Sequence, residues 1–228
     1  MILYGRGYRS GWSQAREPSN FGAGGDRPTD PALLDYLASS LIGNGWSLKK
    51  LHREIMLSAA YQQQSASARR LDVEALRDSL LFVSGMLDET MGGPPIELGA
   101  PENHRRTVYA RIRRSVYVCN SGTGGLDRML QLFDFPDPTT SVDHRSETTV
   151  PLQSLFFLNS DLVMKSAGAL AARLQGDDSA KIVQAYEILF SRPPSPAETE
   201  LGLDFLRGSP WPQYAQALLA SGAFTYVQ

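Results

Sequence analysis

The chain has 228 residues, of which 42% are hydrophobic and 20% are charged, and its formal net charge is −2. These values are typical of a globular protein with a real core and exclude a chain that is disordered throughout. The small net charge predicts no general attraction to nucleic acid or to an anionic membrane. No apolar run approaches the roughly 20 residues that cross a bilayer, so we expect no membrane insertion.

The first part of the chain changes from an irregular to a helical pattern. Residues 1–28 are rich in glycine, arginine, serine and proline, which predicts an irregular N-terminal arm that we interpret as the truncated start of a domain. Asp30 can cap a first helix that has proline at its first position. Further helices are predicted after Ser47 and after Asp72. We expect Trp46, which stands between a helix stop and a helix cap, to be buried.

The pattern becomes strand-like in the segment RRTVYARIRRSVYVC. Its apolar residues are two or four positions apart: Val108, Ala110, Ile112, Val116 and Val118. This alternation is typical of a strand and predicts one small β element near residues 106–118. The glycine-rich turn at residues 120–125 is the expected seam between two halves of a single helical domain that covers residues 29–228.

The second half again carries helical signals. A helix is predicted from Pro151, a longer one carries the stripe Val163, Ala167, Leu170 and Leu174, and the tetrapeptide Ser195-Pro196-Ala197-Glu198 has the form of a capping box. The helices are numerous and short. We therefore predict a mainly α fold, an irregular multi-helix bundle with one small β element.

The segment FDFPDPTTSVDHRSETTV, residues 133–150, is rich in carboxylates and hydroxyls and also holds a histidine and an arginine. Its candidate catalytic residues are Asp143, His144, Arg145 and Glu147. A histidine beside carboxylates can act as a general base, because its pKa lies near neutrality. The alternative, which we favour, is structural. In that interpretation the threonines hydrogen-bond the backbone and cap the following helix, and Arg145 pairs with Asp137 or Asp143.

Other polar residues are candidates for holding a sugar, sulfate or carboxylate. The candidate ligand-binding residues are Asp137, Thr139, Thr140, Arg111 and Arg113. The arginines belong to a basic cluster: Arg105, Arg106, Arg111, Arg113 and Arg114. We favour the interpretation that this cluster is the solvated face of an edge strand, where charge blocks further pairing.

Motifs for metal ions and cofactors are lacking. The chain has three histidines and one cysteine, widely separated, so we expect no metal site. It has no C-x-x-C-H for haem attachment and no phosphate-binding or dinucleotide-binding glycine motif, so we expect no cofactor. The single cysteine also excludes an internal disulfide.

Five phrases of the sequence, in order, resemble the planctomycete PSD-one domain, a family of unknown function. They are EPSNFGAGGDRPTDPALLDYLASSLIGNGWSLKKLHREIMLSAAYQ, RRLDVEALRDSLLFVSGMLDETMGGP, LFDFPDPTTSVDHRSETTVPLQSLFFLN, YEILFSRPPSPAETE and LLASGAFTYV. The similarity covers almost all of residues 17–227.

The resemblance implies a setting for the chain. Such domains usually form the C-terminal end of large exported proteins that also carry a c-type cytochrome domain. Their genes often lie near genes for polysaccharide-degrading functions. It implies a periplasmic or secreted location, with other domains of the parent protein, or a polysaccharide, as partners. We expect an accessory or interaction domain, and the alternative is a polysaccharide-acting enzyme with a polar cleft around residues 137–149.

Overall fold

The computed structural model describes residues 27–62, 68–100, 102–111, 128–136, 142 and 145–227. The chain divides into two units, and each has its own packing. The first unit comprises Met1–Ala68, Val142–His144 and Gln228, and the second comprises Arg69–Ser141 and Arg145–Val227. The predicted arm and the predicted seam at residues 120–125 fall mainly outside the described residues, and the predicted single domain over residues 29–228 stays a prediction.

The first unit contains three helices among its described residues: α1 (Pro31–Gly43), α2 (Leu48–Leu57) and α3 (Ala59–Gln62). The predicted caps are confirmed, because the Asp30 side chain accepts from the Leu33 amide at 3.0 Å and the Ser47 side chain accepts from the Lys50 amide. Between α1 and α2, Glu54 accepts hydrogen bonds from the hydroxyls of Tyr36 and Ser40.

The prediction that Trp46 is buried is wrong. Trp46 is 70% exposed and adopts a positive φ of 60° in the turn between α1 and α2. No residue of the three helices in this unit is buried. The described helices therefore form no core that the indole could enter.

The second unit contains most of the helices. They are α4 (Val73–Ser84), α5 (Arg128–Leu132), α6 (Pro151–Asn159), α7 (Asp161–Arg173), α8 (Asp178–Phe190), α9 (Pro196–Gly208), α10 (Trp211–Leu219) and α11 (Gly222–Thr225). Within the described residues its strands are β1 (Arg69–Arg70), β2 (Ile96–Glu97), β3 (Ala110–Arg111) and β4 (Tyr226–Val227). The mainly α fold predicted from the sequence is confirmed.

The strands form two short pairs. β2 and β3 are parallel, with Ile96 opposite Ala110, so the described part of the β element predicted near residues 106–118 is β3. β1 and β4 are antiparallel, with Arg70 opposite Tyr226. This second pair joins the start of the unit to its end and fixes the direction in which the β1 arginines project.

The main core lies where α7 packs against both α4 and α10. Its most deeply buried side chains are Val73, Leu76 and Leu80 of α4, Val163, Ala167 and Leu170 of α7, and Ala215 and Leu219 of α10. These residues recur at spacings of three and four, which places them on one face of each helix. Fully burying a leucine contributes about 1.5–3 kcal/mol, so this interface is a principal source of stability.

A second cluster joins α8, α9 and α10, with Ile182 and Tyr214 at its centre. Gly202 of α9 faces these two side chains. A Cβ atom at position 202 would lie 2.5 Å from the Tyr214 hydroxyl oxygen and 2.9 Å from Cδ1 of Ile182. The close approach of α9 therefore requires glycine there.

The capping box predicted at the start of α9 is confirmed. The Ser195 amide donates to the Glu198 carboxylate at 2.7 Å, and the Glu198 amide donates to the Ser195 hydroxyl. Arg192 also holds this carboxylate through two hydrogen bonds of 2.7 and 2.8 Å. The hydrogen bonds from Arg192 and from the Ser195 amide lower the pKa of Glu198 to about 2.

Candidate functional site

The end of the polar segment, residues 145–150, leads into α6. Residues 145–150 lie beside the start of α4 and beside the turn that follows α5. The side chains and backbone that meet here form a network that we call the polar seam, with these members: residues 145–150, Arg69, Arg70, Asp72, Glu74, Asp134 and Gln153.

Arg145 is held by Glu74 of the first turn of α4. The two guanidinium nitrogens Nη1 and Nη2 donate to the two carboxylate oxygens, each at 2.6 Å. The side chains are 27% and 30% exposed, so this is a partly desolvated, bidentate pair. The guanidinium also lies over the ring of Phe135, 5.4 Å from its centroid.

This pair changes the acidity of both groups. Desolvation is the largest influence on Glu74 and would raise its pKa. The hydrogen bonds from Arg145 and from the Glu74 amide, together with the Arg145 charge, outweigh desolvation, so the pKa of Glu74 lies below its usual range. The hydrogen bonds to Glu74 raise the pKa of Arg145. Both groups are therefore charged at neutral pH, which stabilises the pair.

Glu147 lies opposite the first β1 arginine. Nε of Arg69 is 2.9 Å from a carboxylate oxygen of Glu147, and Nη2 of Arg69 is 3.5 Å from Asp72. These side chains are 42–53% exposed. Pairs this exposed contribute at most about 1 kcal/mol, so they orient the segment more than they stabilise it.

Asp134 is the most deeply placed carboxylate of the polar seam. Nη2 of Arg70 donates to it at 2.5 Å, and the amide and hydroxyl of Thr148 donate at 2.9 and 2.8 Å. The Arg70 and Asp134 side chains are only 10% and 13% exposed. Asp134 has a positive φ of 60°, an unusual conformation for aspartate, and the three donors hold it in that turn.

Gln153 connects this network to α6. Its amide group is buried and donates to the carbonyls of Leu132 and Thr148 at 2.9 and 3.1 Å, while its oxygen accepts from the Val150 amide. The predicted helix start at Pro151 is confirmed. One side chain thus satisfies the carbonyl at the end of α5 and two backbone groups of the segment that precedes α6.

In the polar seam, negatively charged carboxylates are paired with positively charged arginines. Each of its four carboxylates lies within ion-pair distance of an arginine. The structure thus brings Arg145 and Glu147 into the same network. Among the described residues, Arg145 pairs with Glu74, 71 positions earlier in the chain, whereas the predicted partners Asp137 and Asp143 lie outside those residues.

Six of the predicted site residues lie outside the described residues: Asp137, Thr139, Thr140, Asp143, His144 and Arg113. Arg111 is in β3, but its side chain is outside the described part. The catalytic and ligand-binding assignments, and the cleft around residues 137–149, stay predictions.

The basic cluster contains one arginine with a different role from the one the sequence suggests. Arg105 is 8% exposed, not solvated, and donates to the carbonyls of Thr90, Gly92 and Pro94. Its guanidinium lies 4.5 Å from the centroid of Tyr109. The glycine- and proline-rich sequence MGGPP was the available signal, because a loop of this kind leaves carbonyl groups that need donors.

A second buried arginine holds the segment that contains Arg105. Arg77 of α4 is 3% exposed and donates to the carbonyls of Asn103 and Arg105 and to the Thr107 hydroxyl. Arg77 lies on an otherwise apolar face of α4, and no pattern in the sequence indicates that it binds these backbone groups. Both arginines hold the chain from α4 to β3 in place.

Two further properties concern ions and membranes. Among the residues that the structure describes, no group of three or more histidine, cysteine, aspartate or glutamate side chains is placed to hold a metal ion. None of the helices in those residues combines the length and the apolar character needed to cross a membrane.

Comparison with known proteins gives one match. The family described as PSD1, protein of unknown function (DUF1553), matches residues 10–206, which is most of the chain. No curated protein and no solved structure matches the chain.

Proposed function

Since the chain belongs to the PSD1 family of proteins of unknown function, we propose that it is a non-catalytic accessory or interaction domain of a larger exported protein. Its partners are other domains of that protein, among them a c-type cytochrome domain, and its setting is polysaccharide breakdown outside the cytoplasm. These finer features rest on the resemblance to PSD-one domains.

The observation that supports this proposal is the use of charge in the polar seam. A general acid or base needs a pKa near the working pH and access to the substrate. Glu74 has a lowered pKa and is held by Arg145 through both oxygens. Glu147 is paired with Arg69. In the described part of the candidate site, Arg145 thus holds the chain to α4 and Glu147 orients the segment, which favours an accessory role over an enzymatic one.

A turnover screen tests the proposal against the enzymatic alternative. The purified chain is incubated with a panel of neutral and sulfated polysaccharides, and the release of reducing ends and of sulfate is measured. We expect no turnover by the chain or by His144→Ala. Turnover that is lost in His144→Ala but kept in the control Glu200→Gln, an exposed carboxylate on α9, would contradict the proposal.

A titration tests the positive half of the proposal. The c-type cytochrome domain of the same parent protein is produced separately and titrated with the chain, and binding is followed by calorimetry. We expect saturable binding that also raises the melting temperature of the chain, because a ligand of the folded state stabilises it. Absence of binding would remove the cytochrome domain from the set of partners.

A further inference from the structure

A cleft with a volume of about 500 Å³ opens on the surface of the second unit, away from the polar seam. The side chains that define this acidic cleft are Phe82, Leu87, Glu89, Arg173, Glu187 and Ile188. It lies where three helices end, because α4 ends at Ser84, α7 ends at Arg173 and α8 ends at Phe190. The cleft is open to solvent and large enough for one or two amino-acid side chains.

The electrostatics of the acidic cleft favour a cation. A helix carries the equivalent of about half a negative charge at its C-terminus, and three such ends meet here. Glu89 and Glu187 are exposed and add two full negative charges. Neither carboxylate forms an ion pair with another residue in the described part of the chain.

One guanidinium already binds at this place. Arg173 donates through Nη1 to the carbonyls of Phe82 and Val83 at the end of α4, and its side chain lies against Gly85. Two C-terminal carbonyls of α4 therefore already accept hydrogen bonds from an arginine. Arg173 leaves the two carboxylates of the acidic cleft unneutralised, and the three side-chain charges sum to one negative charge.

The apolar part of the acidic cleft suits the stem of a long basic side chain. Phe82 is 62% exposed, and Leu87 and Ile188 are partly buried beside it. Lysine and arginine bury their methylene groups on apolar surfaces while the charged end stays hydrated. A cation near the face of an aromatic ring gains further attraction.

We propose that the acidic cleft binds a lysine or arginine side chain of a basic peptide segment from a partner protein. The peptide's methylene stem lies along Phe82 and Ile188, and its cationic end lies near Glu187 and Glu89. The inference rests on the proposed function in that it supplies the chemistry of a partner for an interaction domain. An acidic or wholly apolar segment does not satisfy the two free carboxylates.

The test is a titration of the full chain, labelled with ¹⁵N, with an acetylated and amidated tetra-arginine peptide. We expect saturable shifts of the backbone amides of Phe82, Leu87 and Ile188. Because the attraction is between exposed charges, it should weaken as the ionic strength rises. A tetra-glutamate peptide should give no shifts at these amides.

Substitutions of the two glutamates test whether their carboxylates bind the peptide. Glu187→Gln should weaken binding about two- to fivefold, as expected for loss of one exposed ion pair, and Glu89→Gln/Glu187→Gln should weaken it more. The matched control Glu200→Gln removes an exposed carboxylate of α9 outside the cleft and should bind as the unmodified chain does. Circular dichroism checks that each variant keeps its helices.

Several results would overturn the inference. They are shifts that do not saturate, shifts confined to residues elsewhere, equal weakening by Glu200→Gln, or equal binding of the tetra-glutamate peptide. Polysaccharide turnover by the chain would overturn the proposed accessory role but would leave this titration unchanged. Lack of peptide binding would contradict only the proposed binding at the acidic cleft, so the two failures are distinguishable.

Discussion

The polar seam and the acidic cleft use the same kinds of residue in opposite ways. In the polar seam, each carboxylate lies near an arginine, and the Arg70–Asp134 pair is about nine-tenths buried. In the acidic cleft, Glu89 and Glu187 are exposed and have no ion pair within the described residues. Paired charges out of water hold the fold together, whereas exposed and unpaired charges remain available to a partner.

The largest effect predicted by this comparison belongs to Arg70. Arg70→Ala leaves the Asp134 carboxylate poorly solvated and without its guanidinium partner. Removal of one member of a buried pair costs roughly 3–5 kcal/mol, and because Thr148 still donates to Asp134, we expect about 2–4 kcal/mol of lost unfolding free energy. Urea denaturation followed by circular dichroism measures it.

An exposed pair provides the control for that experiment. Arg207 and Asp204 lie 3.3 Å apart, but their side chains are 81% and 69% exposed. Arg207→Ala should change the unfolding free energy by less than about 0.5 kcal/mol. If Arg70→Ala costs no more than Arg207→Ala, burial does not distinguish the pairs of the polar seam.

Glu74 should make the free energy of unfolding depend on pH, with an effect of intermediate size. Its pKa is lowered in the folded state, so its contribution to stability is present above the unfolded value of about 4.3 and is lost as the pH falls through the folded value. Glu74→Gln should cost about 1–2 kcal/mol at neutral pH, because the amide nitrogen cannot accept the second hydrogen bond from Arg145 and the remaining bond loses its charged acceptor.

The difference between the unmodified chain and Glu74→Gln should therefore shrink as the pH is lowered from 6 to about 3. Urea denaturation across this range measures it. A difference that stays constant, or grows in acid, would show that the carboxylate charge of Glu74 does not stabilise the fold.

The smallest effect is expected in the acidic cleft. Glu187→Gln breaks no ion pair in the described part of the chain, so the unfolding free energy should change by less than about 0.5 kcal/mol. Peptide binding should nevertheless weaken. A loss of stability comparable to that of Arg70→Ala would place Glu187 with the structural charges and remove the contrast between the two regions.

Local sequence patterns predicted the helical framework well. The apolar stripe of α7, the start of α6 at Pro151 and the capping box at Ser195 follow from residues within one or two turns. Such signals depend on the period of the helix and on the needs of its ends, which are local properties.

Tertiary features were harder to predict. The partner of Arg145 is 71 positions away, and nothing near Glu74 in the sequence indicates it. Arg105 resembles a surface charge until the carbonyls of its loop are known. Trp46 has an apolar ring, but burial needs a core around it, and the described helices of its unit contain no buried residue.

The central claim is that the charged residues of the polar seam hold the fold together, and a double-mutant cycle on Arg145 and Glu74 tests it most directly. The unfolding free energies of the unmodified chain, Arg145→Ala, Glu74→Ala and the double variant are measured in urea at neutral pH. For a bidentate pair that is partly desolvated, we predict a favourable coupling of about 1–2 kcal/mol. A coupling near zero, with the stability of the chain unaffected by Arg145→Ala, would contradict the claim.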